Sequence, residues 1–383
     1  MIDTTVAVFF ILSAIVLLSV WLVDRYKPFK KIGAALIGIL LGMLLSNLGF
    51  LPGESKVYNF LASSGVSAAV VLILLSVEIG TVKKAGPLML KAFCIGAAGS
   101  AIGSILMALI LSSSIGPETW KLSGQFAATY TGGGMNFAAM GQAFNTSNDL
   151  FTAALAADVA LASTWLLVCL AVPVIFSAKS EPVNIETNQT SNTDQKQTFT
   201  LEHALFSSGK PVNLFHIAIL LCITFGSIWL SEQIETWIAA IPKILWLTSI
   251  ILFLGQMPFV KKLSGNAMLG NYLLLLFLAS NGAKSVISNI IDVGPAVFYF
   301  ALGGLIIHGL IIFGIGRLVR IDMGTLAIAS QANIGGSASA MALASARGYG
   351  DRILPGVAVG LLGYAIGNYL GLSVGSLMKF ILL

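Results

Sequence analysis

Charge is scarce in this 383-residue chain: 16 acidic and 21 basic residues make up 10% of it, against about 25% in an ordinary globular protein. A chain this poor in charge cannot clothe the surface of a water-soluble body of its size. Cysteine is scarcer still. Cys94, Cys169 and Cys222 each lie inside an apolar run, without CxxC spacing or a histidine partner, so a disulfide framework is excluded and they read as small buried hydrophobes. The three histidines form no metal-binding pattern, and His308 stands alone in an apolar run. No HExxH, GxSxG, P-loop or helix-opening GxGxxG occurs, so the reading is of a chain without metal centre, cofactor or enzymatic activity.

Apolar residues fill the space instead: 57% of the chain, with 40 glycines and a mean hydropathy of +0.92. Runs of about 20 apolar residues match a hydrocarbon core about 30 Å thick. Such runs at 5–23, 32–51, 58–80, 87–111, 150–176, 212–230, 237–254, 267–287, 295–315 and 353–382 predict ten transmembrane helices. The class is therefore an all-α polytopic protein of a cell membrane, with the lipid bilayer as its solvent. One polar linker, 177–211, carries NIETNQTSNTDQKQTF and cannot bury enough apolar surface to fold alone. It separates a first membrane repeat, 1–176, from a second, 212–383. The net charge of +5 follows from basic loops on the cytoplasmic side, not from nucleic-acid binding. Because the residues before the first apolar run lack a basic n-region, that run is expected to be a retained helix with its N-terminus outside.

Two further stretches, 125–144 and 326–346, are interrupted by TGGGMN and NIGGSAS. A shift of 203 residues lays Gly132-Gly133-Gly134 on Gly335-Gly336-Ser337, Asn136 on Ser339, Tyr130 on Asn333 and Glu78 on Asn281. That coincidence points to an internal repeat. If the broken stretches re-enter, 16 of the 21 basic residues fall on the linker's side, leaving Lys56, Lys121, Lys243, Lys284 and Lys379 on the other. If they cross, the split is about 11 to 10. The positive-inside rule favours re-entry, five crossings per half, an inverted second repeat, a cytoplasmic linker and both termini outside. Broken helices that cross are also found in such proteins.

A broken helix in lipid is tolerated only where protein or a water-filled cavity satisfies its backbone. The two breaks therefore predict a shared site, with helix N-termini offered to an anionic group and freed carbonyls to a cation. Its expected substrate-binding residues are Thr131, Gly132, Gly133, Gly134 and Asn136 from the first half, with Asn333, Gly335, Gly336, Ser337 and Ser339 from the second. The same glycines and serines would also serve close helix packing. Asp158 is the clearest carboxylate inside a span and marks an ion or proton path, or a lock within the bundle. Thr129, Gln331 and Asn368 are its expected companions in coupling, with Tyr364 and Tyr369 nearby in GYAIGNYLG. Glu78 and Lys284 end their spans; each snorkels or pairs, Lys284 with Asp292.

TYTGGGMNF, followed about 200 residues later by QANIGGSASAMALA, with a polar linker between, resembles the YjcL-like membrane proteins, a group of unknown function. The likeness spans essentially the whole chain. It implies membership in the clan of cation–proton antiporters and anion transporters, beside glutamate–sodium symporters, and an elevator-type motion of a core against a scaffold. It further implies a homodimer. The expected function is secondary transport of a small-molecule substrate, an organic anion, amino acid or short acidic peptide, coupled to Na⁺ or H⁺. A cation–proton antiporter is the alternative, and a receptor or membrane enzyme the remaining classes.

Overall fold

A computed structural model describes residues 4–26, 29, 33–77, 79–176, 212–238, 243–285 and 287–383, with side chains left out at 79, 163 and 287–293. The linker, Glu78 and the Asp292 side chain lie outside the described residues. Helices account for nearly everything else: α1 Thr5–Arg25, α2 Ala34–Asn47, α3 Lys56–Leu74, α4 Gly86–Ile115, α5 Thr119–Gly132, α6 Gly134–Ala143 and α7 Asn148–Phe176. The second half supplies α8 Leu214–Trp237, α9 Lys243–Leu254, α10 Asn266–Ala283, α11 Ile287–Leu318, α12 Met323–Ala346 and α13 Gly350–Leu382. Entry points follow ordinary capping: Thr4 before α1, Ser55 before α3, Asn213 before α8 and Asp322 before α12 each accept a first-turn N–H.

Among the described residues seven helices are long and apolar enough to cross a membrane: α1, α3, α4, α7, α8, α11 and α13. The other three expected spans are helical but shorter. Among them α2 has 14 residues and α9 has 12, about 21 and 18 Å at 1.5 Å per residue. The 32–51 run stops being helix at Asn47 because Gly49, at φ +80°, turns the chain away. Apolar content alone does not register such a turn.

The helices sort into two packed bundles that draw on both halves of the sequence. In one, α4–α7 pack with α11–α13; in the other, α1–α3 pack with α8–α10. Between them, the main contacts are α3 and α9 against α6, α9 against α13, and α2 and α10 against α7. Polar contacts across this boundary fall in three places: Asn368 Nδ2 to Thr248 Oγ1 (3.1 Å) with Tyr369 to Ser249 (2.8 Å); Thr152 to both Ser285 (2.6 Å) and Asn281 Nδ2 (3.0 Å), with Ser285 also to the Asn148 carbonyl (3.4 Å); and Gln142 Nε2 to the Ser63 carbonyl (2.5 Å) and Ser67 Oγ (3.2 Å). Ser63 lies in a π-helical turn, Leu61–Gly65, that widens α3.

Both broken stretches fold back on themselves. Along α5 and α6 the chain pairs with itself in antiparallel order: the Ser147 N–H donates to Glu118 (3.0 Å), Lys121 to the Asn145 carbonyl (2.8 Å) and Thr146 to Gln125 (3.2 Å). The Trp120 and Phe144 rings meet at 5.1 Å and those of Phe126 and Phe137 at 5.8 Å. In α12 a straight run of 24 residues would be about 36 Å long. Instead Asp322, at its start, binds Arg352, just beyond its end, at 2.6 Å. A Cβ built on Gly356 would lie 2.6 Å from Ile328 Cγ2 and 3.5 Å from Ala340 Cβ, so both arms of α12 flank one point on α13.

Helix α13 orients the two hairpins. Lys379, near its C-terminus, stands 5.0 Å over the Trp120 ring at the base of the first hairpin, whereas Arg352, near its N-terminus, holds the base of the second. The 33 residues of α13 span about 50 Å. The hairpins thus approach from opposite ends and meet by their tips midway.

Both hairpin bases carry a tethered carboxylate. Burial pushes the Glu118 carboxyl up, but the Ser147 N–H and the Lys121 ammonium outweigh it and hold the pKa below its ordinary value. For Asp322 burial is likewise outweighed by Thr325 and Arg352. A depressed folded pKa gives stability that is complete above the ordinary carboxylate range and is lost as pH falls through the folded value. Melting curves recorded across acid pH should therefore show a stability loss that is smaller in the Glu118→Gln, Asp322→Asn double variant than in the native chain; equal losses would rule these tethers out.

Candidate functional site

The tips are made by two glycines in matching conformations. Gly133 has φ 77°, ψ 178° and Gly336 has φ 76°, ψ −168°, a region populated essentially by glycine alone and costing other residues about 1–3 kcal/mol. They are 203 positions apart, the register expected from the sequence. A Cβ on Gly133 would sit 4.0 Å from the Gly336 nitrogen, and the Tyr364 ring packs against both glycines. Behind the first tip, α13 presents Gly363, Gly367, Gly371 and Gly375, a four-residue stripe into which α5 and α6 settle. Gly124 and Gly371 face each other so closely that a Cβ on either would lie within 2.7 Å of the other's carbonyl oxygen.

In front of the tips lies a cavity of about 800 Å³, lined by the hairpin bundle on one side and by Ile73 of α3 and Asn271, Leu274 and Leu278 of α10 on the other. Of the expected site residues, Gly133, Gly134, Gly335, Ser339, Gln331 and Asp158 line it, joined by Tyr364. Gly134 has open space where a side chain would stand. Asp158 is 5% exposed, accepts a long hydrogen bond from Thr129 (3.4 Å) through Oδ2, and has no partner for Oδ1. The Gln331 side-chain oxygen, 2% exposed, is also without a partner. Such atoms are costly unless something fills the site.

The remaining expected residues serve the walls of the site. Asn136 turns inward and donates to the Gly363 carbonyl (3.2 Å), with Gly132 packed beside it. Thr131 bonds back to Ala127 (2.8 Å), and Ser337 to the Tyr364 hydroxyl (3.4 Å). Asn333 packs over Gly96 on α4, and Asn368 reaches across to Thr248 on the other bundle. Lys284 caps the end of α10.

His308, alone in its apolar run, finds its partners on three other helices. Its Nδ1 is 2.9 Å from the Gly96 carbonyl and 2.9 Å from Ser100 Oγ, and its Nε2 is 2.9 Å from Ser330 Oγ. A carbonyl only accepts, so Nδ1 carries the proton and Nε2 accepts from Ser330, whose oxygen in turn accepts from Trp165 Nε1 (2.9 Å). Ser100 donates to the Tyr130 carbonyl of the first hairpin. Ser330 belongs to the second hairpin, so a neutral imidazole clasps the two together. Nothing in the residues around His308 signals partners this far away in the chain.

Among the described residues no group of three or more His, Cys, Asp or Glu side chains is placed to hold a metal ion. The fold and the cavity define a multi-pass helical membrane protein with a buried polar site between paired hairpins. It belongs to the family described as "Protein of unknown function (DUF819)", which matches residues 8–381. It is also 28% identical, over 369 residues, to the "Uncharacterized membrane protein YjcL" of Bacillus subtilis (strain 168), covering 94% of this chain and 93% of that protein.

Replacing His308 by leucine removes the common partner of Ser100, Ser330 and the Gly96 carbonyl, each of which keeps another contact, so the cost is about 1–3 kcal/mol in all. A melting temperature several degrees below native is expected for His308→Leu, with partial recovery in His308→Gln; a native-like His308→Leu would remove the clasp from the account.

Proposed function

We propose that this protein is a secondary active transporter, coupled to Na⁺ or H⁺, that carries a small organic anion or amino acid. The observation that carries the reading is the meeting of two glycine-broken hairpin tips at a cavity whose lining holds one unpaired buried carboxylate. Exposed backbone at membrane depth is tolerated where it lines a binding cavity, and intramembrane ionisable groups usually mark ion paths. In this reading Asp158, with Thr129 and Gln331, holds the coupling cation, and the first turns of α6 and of the second arm of α12 hold the substrate.

The motion is of elevator type: the hairpin bundle slides past the α1–α3/α8–α10 bundle and takes the site with it. The placement of the cavity between the bundles, and the gathering of the polar contacts between them into three places, support this. Re-entrant hairpins leave five crossings in each half, which puts both termini outside and the linker in the cytoplasm. That Asp158 is the cavity's charged side chain also favours a second reading, cation–proton antiport without an organic substrate.

Proteoliposomes given a Na⁺ or pH gradient should accumulate radiolabelled carboxylates or amino acids at least about tenfold over protein-free vesicles, a coupling of about 1.4 kcal/mol or more. Asp158→Asn should lose that accumulation. Gradient-driven proton exchange on addition of Na⁺ alone, absent in Asp158→Asn, would select the antiporter; no flux of any kind would leave a receptor.

For the motion, cysteines at Thr152 and Ser285, whose side-chain oxygens stand 2.6 Å apart across the boundary, in a chain whose Cys94, Cys169 and Cys222 are serines, can be bridged by Hg²⁺. Bridging should stop uptake, and reduction by dithiothreitol should restore it. Unchanged uptake in fully bridged protein would exclude sliding at this boundary.

A further inference from the structure

Resting on the transporter reading, the charge inventory of the cavity narrows the cargo. Among the described residues no lysine, arginine or histidine lines it, and the ionisable side chains there are Asp158 and Tyr364. Positive potential at the tips comes from two helix starts, α6 at Gly134 and the second arm of α12 after Gly336, each equivalent to about +0.5 of a charge. Those two starts suit one carboxylate, while the carbonyl ends of α5 at Gly132 and of the first arm of α12 at Gly335, equal and opposite in sign, join Asp158 in favouring a cation. A second negative charge on the cargo has nothing to meet it, and burying an unpaired charge is costly.

The unpartnered atoms point the same way. Asp158 Oδ1 and the Gln331 side-chain oxygen are both acceptors, more than nine-tenths buried, on residues that line the cavity. Acceptors without donors call for a cation or an N–H group beside the carboxylate. Apart from Thr164, Asn271, Ser339 and the Tyr364 hydroxyl, the other side chains of the lining are apolar, with Ile73, Leu155, Val159, Leu274, Leu278 and Ile334 among them. That surface suits a hydrocarbon body.

We propose that the site takes a small apolar monocarboxylate, its one negative charge on the paired hairpin tips and one cation on Asp158, so that cargo and cation bind as a net-neutral set. The cation comes either from solution, as Na⁺ or a proton, or from the cargo itself, as the ammonium of an apolar amino acid. Dicarboxylates and acidic peptides are excluded.

The test is calorimetric titration of the purified full-length protein with 4-methylpentanoate, L-leucine, succinate and L-glutamate, each in Na⁺, in K⁺, and in K⁺ at lower pH. One or both monocarboxylates should bind at least about tenfold more tightly than succinate and L-glutamate. Cation-dependent binding of 4-methylpentanoate assigns the charge on Asp158 to the solution, and cation-independent binding of L-leucine assigns it to the ammonium. In Asp158→Asn the site gains one unit of positive charge, so 4-methylpentanoate should still bind but no longer respond to the cation. The selectivity series on the native chain stands even where that variant does not fold.

Binding of succinate or L-glutamate as tight as that of the monocarboxylates, or no binding by any probe, overturns the proposal. Uptake of a dicarboxylate by proteoliposomes would sink this inference and leave the transporter reading intact. Binding of 4-methylpentanoate without uptake of any solute would do the reverse.

Discussion

Lipid offers no hydrogen bonds, and two interruptions of helical backbone inside an apolar chain must therefore be enclosed by the protein itself. Much of the hairpin bundle answers that requirement. The tips at Gly133 and Gly336 are set against each other, Tyr364 closes over both, and the helices behind them carry glycine where backbone must approach backbone. Enclosure is complete on every side but one. On that side the cavity opens toward α3 and α10, and the unmatched oxygens of Asp158 and Gln331 sit among its lining residues. The same constraint that dictates the packing thus also locates the chemistry.

Two layers of hydrogen bonding separate rigidity from mobility. Within the hairpin bundle the His308 clasp ties α4, α11, α7 and both hairpins through bonds of 2.9 Å that have no water to compete with them. At the boundary with the other bundle, the polar contacts form small separate groups, Thr152 with Ser285 and Asn281, Gln142 with Ser63 and Ser67, and Thr248 and Ser249 with Asn368 and Tyr369. Each bond in these groups is worth about 1 kcal/mol net.

How much of this was legible beforehand varies by residue. The glycine breaks were, because a glycine doublet inside an apolar run has few other uses and because the 203-residue register repeats it. Asp158 was, as a lone carboxylate within a span. The direction in which each polar neighbour points was not: Asn136 and Asn368 face a carbonyl of α13 and a hydroxyl of α9, since helix rotation is decided by packing partners more than 100 residues away. The partners of His308 were invisible for the same reason. The stripe Gly363, Gly367, Gly371, Gly375 stood in the sequence as a small-residue repeat, yet only the structure says that a hairpin fills it. The short α2 and α9 escaped notice because hydropathy averages over the turns that end them.

The position of α13 after both hairpins in chain order has a consequence for how the protein is made. Until synthesis reaches Gly350–Leu382, the first hairpin has no glycine stripe to lie in, no Tyr364 over its tip and no Gly363 carbonyl for Asn136. The ribosome delivers the broken backbone more than 200 residues before it delivers the shelter. In that interval the nascent first half must be held by the insertion machinery or by membrane chaperones. A chain cut short before α13 presents an unsatisfied hairpin to membrane quality control, which makes the arrival of α13 the step that shelters both tips.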